Sequence, residues 1–84
     1  MATFFFHEET LPPDDAGHST LVRYYYDDIA AEALTRSFRL LSSGARMEFI
    51  DNERIPLADL RPDLKVLVRD SLTQRERSDL RLAS

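Results

Sequence analysis

The sequence predicts an α+β fold of two layers: an antiparallel sheet of two hairpins carrying two main helices on one face, in the order β-β-α-β-β-α with a short C-terminal helix to follow. Three observations predict it. Two early segments rich in aromatic and β-branched residues, 3–7 and 19–26, flank a stretch dense in turn formers. Apolar residues then recur at spacings of three and four over 29–41 and again over 64–72. Between those periodic stretches lie two short apolar runs separated by Asp51-Asn52-Glu53.

Thr3 to His7 reads as a strand, and Leu11-Pro12-Pro13-Asp14-Asp15-Ala16-Gly17 as the loop that follows it. Ser19 to Tyr26 reads as its antiparallel partner, because the connection is too short for a crossover helix. Asp27 and Asp28 stop that strand and are placed to cap a helix, since a carboxylate accepts from free backbone N–H groups and favours the positive end of the helix dipole. Ile29, Ala30, Ala33, Leu34, Ser37, Phe38 and Leu41 supply its buried stripe, Glu32 and Arg36 an ion pair four residues apart, and Gly44 its left-handed end.

Ala45–Ile50 and Arg54–Leu57 form a second hairpin in this reading, with Phe49 facing Ile55 and Met47 facing Leu57. Pro56 places the second of these strands at an edge or ends it. Pro62 suits the first turn of a further helix, with Leu64, Leu67, Val68 and Leu72 buried. Thr73-Gln74-Arg75-Glu76 has capping-box spacing and starts a short last helix through Leu80 or Leu82.

All 84 residues are read as one domain. At that size folding is favoured by only about 5 kcal/mol. With no cysteine there is no disulfide staple, thiol catalyst or Cys-based zinc site, and a cytoplasmic location is expected. The longest early apolar run, Phe4 to Phe6, is too short for a signal peptide or a membrane span, so no membrane partner is expected. Net charge is −4, but residues 1–35 hold seven acidic side chains against one Arg, and residues 36–84 hold eight against ten Arg or Lys. That balance argues against direct nucleic-acid binding outside the C-terminal third.

The aromatic triplets carry the most functional information. Alternation sends Phe5 and Tyr25 to one face of the first hairpin and Phe4, Phe6, Tyr24 and Tyr26 to the other, so both faces are aromatic. Helices covering one face leave large rings exposed on the other, as at a partner surface or dimer seam. A helix or the Pro-rich loop covering the second face would make the rings core instead. Glu8, Glu9, Asp14 and Asp15 would ring the anchor and steer it toward a basic surface, whereas solubility and capping explain the same carboxylates without a partner. His7 with Glu8 and Glu9, or His18 with Asp14 and Asp15, lacks metal-motif spacing, so no metal, cofactor or catalytic residue is assigned.

The run Leu72-Thr73-Gln74-Arg75-Glu76-Arg77, continuing to Leu80-Arg81-Leu82-Ala83, resembles the first helix of the LuxR-type helix-turn-helix. The resemblance covers about twelve residues and stops short of the recognition helix with which that family reads DNA. The helix-hairpin-helix order expected over residues 28–72 is also similar to that of small phage head-tail joining proteins, in element order alone.

The function expected from these features is that of a non-enzymatic protein-binding module. It would be a small acidic inhibitor that occludes a basic surface of a larger protein, such as a nucleic-acid-binding protein, in the manner of phage or mobile-element inhibitors, immunity proteins or antitoxins. The partner-binding residues would be Phe5, Tyr24, Tyr25 and Tyr26 with Glu8, Glu9, Asp14 and Asp15. The alternatives are a structural subunit that homo-oligomerises, as a homodimer for example, through the aromatic hairpin, and a DNA-binding regulator acting through Arg75, Arg77 and Arg81.

Overall fold

The computed structural model describes residues 3–41 and 46–83, with side chains described as far as Arg77. Four antiparallel strands follow one another in space as in sequence: β1 (Thr3–Leu11), β2 (Thr20–Asp27), β3 (Glu32–Leu41) and β4 (Arg46–Pro56). A 3-10 turn, Leu57–Asp59, leads to a single helix, α1 (Pro62–Ala83).

The first hairpin forms as its residues predict, with Phe4 opposite Tyr26 and Phe5 opposite Tyr25. A bulge between Phe5 and His7 then sets both Phe6 and His7 against Tyr24, so the face pattern of β1 shifts by one residue. Beyond it Glu8 lies opposite Arg23 and Glu9 opposite Val22, which sends these adjacent carboxylates to opposite faces. The loop after β1 is closed by Asp14, whose Oδ1 accepts from the N–H groups of Ala16 and His18 at 2.9 Å each, and Gly17 takes the left-handed conformation the turn requires (φ 82°).

The expected helix over residues 28–41 is absent, and β3 takes its place. Asp27 does accept from two free N–H groups, those of Ile29 and Ala30 at 3.1 Å, but Ala31 turns left-handed (φ 55°) and the chain reverses. One capping interaction serves either a helix start or a tight turn, and the unpaired edge of β2 decides for the turn. Ile29, assigned to a buried stripe, is 81% exposed at the tip. Ala33 and Thr35 are buried toward the helix, while Leu34, Arg36 and Phe38 alternate to the other face. Gly44, expected to end that helix, lies outside the described residues.

The second hairpin is likewise replaced. Asp51-Asn52-Glu53 runs straight through β4, because the ten residues of β3 offer a ladder along its whole length. Ile50 is taken up as a bulge, Phe49 faces Phe38, Ile55 faces Ala33 and Met47 faces Leu40. Pro56 ends this edge strand, where its missing N–H costs no ladder bond. The helix-hairpin-helix order therefore does not exist, and the likeness to head-tail joining proteins goes with it.

Helix α1 begins at Pro62 as expected, but it continues unbroken past Thr73. The Thr73 hydroxyl donates to the Arg69 carbonyl at 3.0 Å, so it bonds back into the preceding turn instead of capping a new helix. The core is the single layer between α1 and the sheet: Val22, Tyr24, Tyr26 and Ala33 meet Leu60, Leu64 and Val68, with Phe4, Phe6, Ile55, Leu57, Leu67 and Leu72 around them. One helix, not two, covers that face. The side chains of Leu80 and Leu82 lie outside the description.

Candidate interaction face

The helix-bearing face is closed by more than apolar contact. Arg61, just before α1, donates to both oxygens of Glu9, at 2.9 and 3.3 Å, and to Asp63 through Nε at 3.2 Å. His7 Nε2 lies 3.3 Å from the same Glu9. The hydrogen bond from Arg61 holds the Glu9 carboxyl below its ordinary pKa, and Asp63 is lowered by the same guanidinium. Arg61 is raised in turn, first by its bond to Glu9. Further along, the Arg75 guanidinium lies 4.7 Å from the Phe4 ring centroid. Glu9 and Arg61 thus clasp β1 to the start of α1, with His7 beside Glu9 on the same strand, and Arg75, a candidate DNA contact, covers a core ring.

Tyr24 and Tyr26 belong to this core, 9% and 4% exposed, and burial raises both phenol pKa values. They are corrected from partner-binding residues to packing residues. Phe5 and Tyr25 do stand on the opposite, helix-free face, in edge contact at 5.7 Å between ring centroids.

Register arranges the helix-free face in bands across the strands. Phe5, Tyr25, Leu34 and Arg54 form one row. Glu8, Arg23, Arg36 and Asn52 form the next. Thr10, Leu21, Phe38 and Phe49 form the third, and Leu40 with Met47 continue the apolar surface beyond it. Two apolar bands therefore flank a polar one. Phe38 and Phe49 stack edge to face at 5.8 Å, and Phe5, Phe49 and Met47 remain 52%, 54% and 47% exposed.

The carboxylates do not ring this face. Glu8 binds Arg23 at 3.1 Å on it, Glu9 is on the other side in the Arg61 clasp, and Asp14 is occupied by the loop backbone, whose bond from the His18 N–H lowers its pKa. Asp15 sits exposed in the same loop. At the end of the face Arg54 lies 3.1 Å from Glu32 and 3.7 Å from Asp27. The ion pair expected between Glu32 and Arg36 does not form, and Arg36 has no carboxylate partner among the described residues.

Sequence reasoning missed Leu34, Phe38 and Phe49, each of which it placed inside a helix or hairpin core. The signal was the alternation Ala33, Thr35, Ser37 against Leu34, Arg36, Phe38, in which every second residue is small or hydroxylated. Among the described residues no group of three His, Asp or Glu side chains is placed to hold a metal, and no helix is long and apolar enough to cross a membrane. No family model matches the sequence, and no match is found among curated proteins or solved structures.

Proposed function

We propose that the chain is a non-enzymatic protein-binding module of the cytoplasm that engages its partner through the helix-free face of the sheet. The observation that carries this is the pair of exposed apolar bands, Phe5 with Tyr25 and Leu34, and Phe38 with Phe49 and Met47. Half-exposed rings held in rigid strands lose little entropy on binding and suit the anchor positions of an interface. A four-stranded face of ~20 Å by ~30 Å approaches the area that one side of a stable protein complex covers. Inhibition by occlusion remains the mode of action this module suits, but the dispersed carboxylates give no reason to require a basic partner.

A second copy of the chain is the other reading. It is favoured by charge balance, since the face carries Glu8, Asp27 and Glu32 against Arg23, Arg36 and Arg54.

Solution mass and binding to purified candidate partners from the native extract test the proposal. The expected result is one saturable complex of fixed stoichiometry, lost in Phe49→Asp and retained in Val66→Asp, which charges a comparably exposed apolar position on α1. A complex that survives Phe49→Asp and fails in Val66→Asp would overturn it. A mass of two copies that falls to one in Phe49→Asp selects the second reading.

A further inference from the structure

Resting on the protein-binding reading, the polar band between the two apolar bands identifies the chemistry of the partner. Arg23 and Arg36 are directly opposed on β2 and β3. Like charges facing across strands are unfavourable, and Arg23 relieves its share by leaning to Glu8 and lying 5.4 Å over the Phe38 ring. Arg36 has neither outlet among the described residues. It stands instead at the wall of a cavity of about 590 Å³ lined also by Tyr25, Leu34, Asn52 and Arg54. By register Leu34 has Tyr25 on one side and Arg54 on the other, with Arg36 next along the same face. Glu53 borders the cavity but pairs with Thr35, whose side chain is buried toward the helix, so its carboxylate belongs to the opposite face. Arg54 already shares its charge with Glu32 and Asp27.

We infer that this cavity receives one carboxylate of a partner segment, bound by Arg36 and Asn52, with the apolar side chains next to that carboxylate resting on Tyr25 and Leu34 and on Phe38 and Phe49. A guanidinium and an amide offer several N–H donors in a plane, which matches a carboxylate. Alternating apolar, cationic and apolar bands match an apolar-acidic-apolar sequence. A nucleic-acid strand fits less well, because Glu8, Asp27 and Glu32 border the same face and would oppose successive phosphates.

Titration of the isotope-labelled full chain with N-acetyl-phenylalanine, its carboxamide analogue and a ten-residue oligothymidylate tests the inference by NMR. The expected result is saturable shifts at the Arg36 Nε–H and the Leu34 methyls with the acid. The amide should need at least about five-fold more to reach the same saturation, and Arg36→Gln should abolish that preference while its own spectrum stays folded. No saturable shift, equal binding of acid and amide, a preference that survives Arg36→Gln, or tighter binding of the oligothymidylate would each overturn it. An intact acid preference in a chain that forms no Phe49-dependent protein complex would instead remove the protein-binding reading and leave the carboxylate site.

Discussion

Arg23 and Arg36 face each other across β2 and β3 on the helix-free side of the sheet, and of the two only Arg23 has a carboxylate within reach among the described residues, Glu8 at 3.1 Å. A cross-strand pair of like charge weakens the isolated fold by about 0.2–1 kcal/mol. Arg36→Gln should therefore unfold at equal or higher urea than the wild type, with a gain within that range. A loss above about 1 kcal/mol would show that Arg36 has a stabilising contact, and would remove the ground for reserving it for a ligand.

The two faces of the first hairpin should separate in mutational effect. Tyr26→Ala removes a ring that is 4% exposed and should cost about 3–5 kcal/mol, enough to unfold much of a small domain. Phe5→Ala and Phe49→Ala remove rings that are half exposed and should cost under about 1 kcal/mol, the value of a cross-strand aromatic pair. Denaturant curves check both, and similar losses on the two faces would mean that the rings have no division of labour.

The clasp between Glu9 and Arg61 sets a pH dependence. The Glu9 carboxyl titrates below its ordinary value of 4.5 when folded, because the Arg61 hydrogen bond favours its charged form. Its contribution to stability is thus complete above that ordinary value and is lost as pH falls through the lower folded value. Asp14 and Asp63 shift in the same direction and steepen the loss. Thermal midpoints measured from pH 7 down to pH 3 should fall in the wild type. In Glu9→Gln they should start lower and fall less, and an unchanged acid slope would contradict the clasp.

The turn between β2 and β3 gives a prediction that a helix would reverse. Ala31 holds a left-handed backbone (φ 55°), which disfavours a residue with a Cβ and suits glycine. Ala31→Gly should stabilise the protein by about 0.5–1 kcal/mol, whereas in a helix interior the same change costs about that much. Ile29→Ser should be nearly neutral in stability, since the side chain is 81% exposed. Equilibrium unfolding of the two variants measures both signs.

Local chemistry was legible wherever one pattern had one reading. The alternation in β1 and β2, the turn formers between them, Pro62 at the head of α1 and the Leu64, Leu67, Val68, Leu72 stripe each specify their element, and the structure keeps them. Residues 28–41 carry a pattern that satisfies two geometries. Ala33, Leu34, Phe38 and Leu41 recur at helical spacing, yet Ala33, Thr35 and Ser37 also make the small inner side of a strand. Pairing with β2 decides between them, and that long-range term is not written in the segment itself. Replacing the helix by β3 and the second hairpin by β4 put Leu34, Phe38 and Phe49 on the helix-free face, so half of the candidate face followed from topology. Phe5 and Tyr25 were legible because alternation from the first hairpin already set them apart. The bulge at Phe6 and His7 was not, and it is what splits Glu8 from Glu9.

The most direct measurement of which face binds is photocrosslinking in native extract, with p-benzoylphenylalanine placed singly at Phe5, Phe49 or Val66. All three positions are exposed, two on the helix-free face and one on α1. The expected result is one crosslinked protein, shared by the Phe5 and Phe49 probes, competed by unlabelled chain and absent from the Val66 probe. Crosslinking from Val66 with none from Phe5 or Phe49 would contradict the assignment of the helix-free sheet as the binding surface.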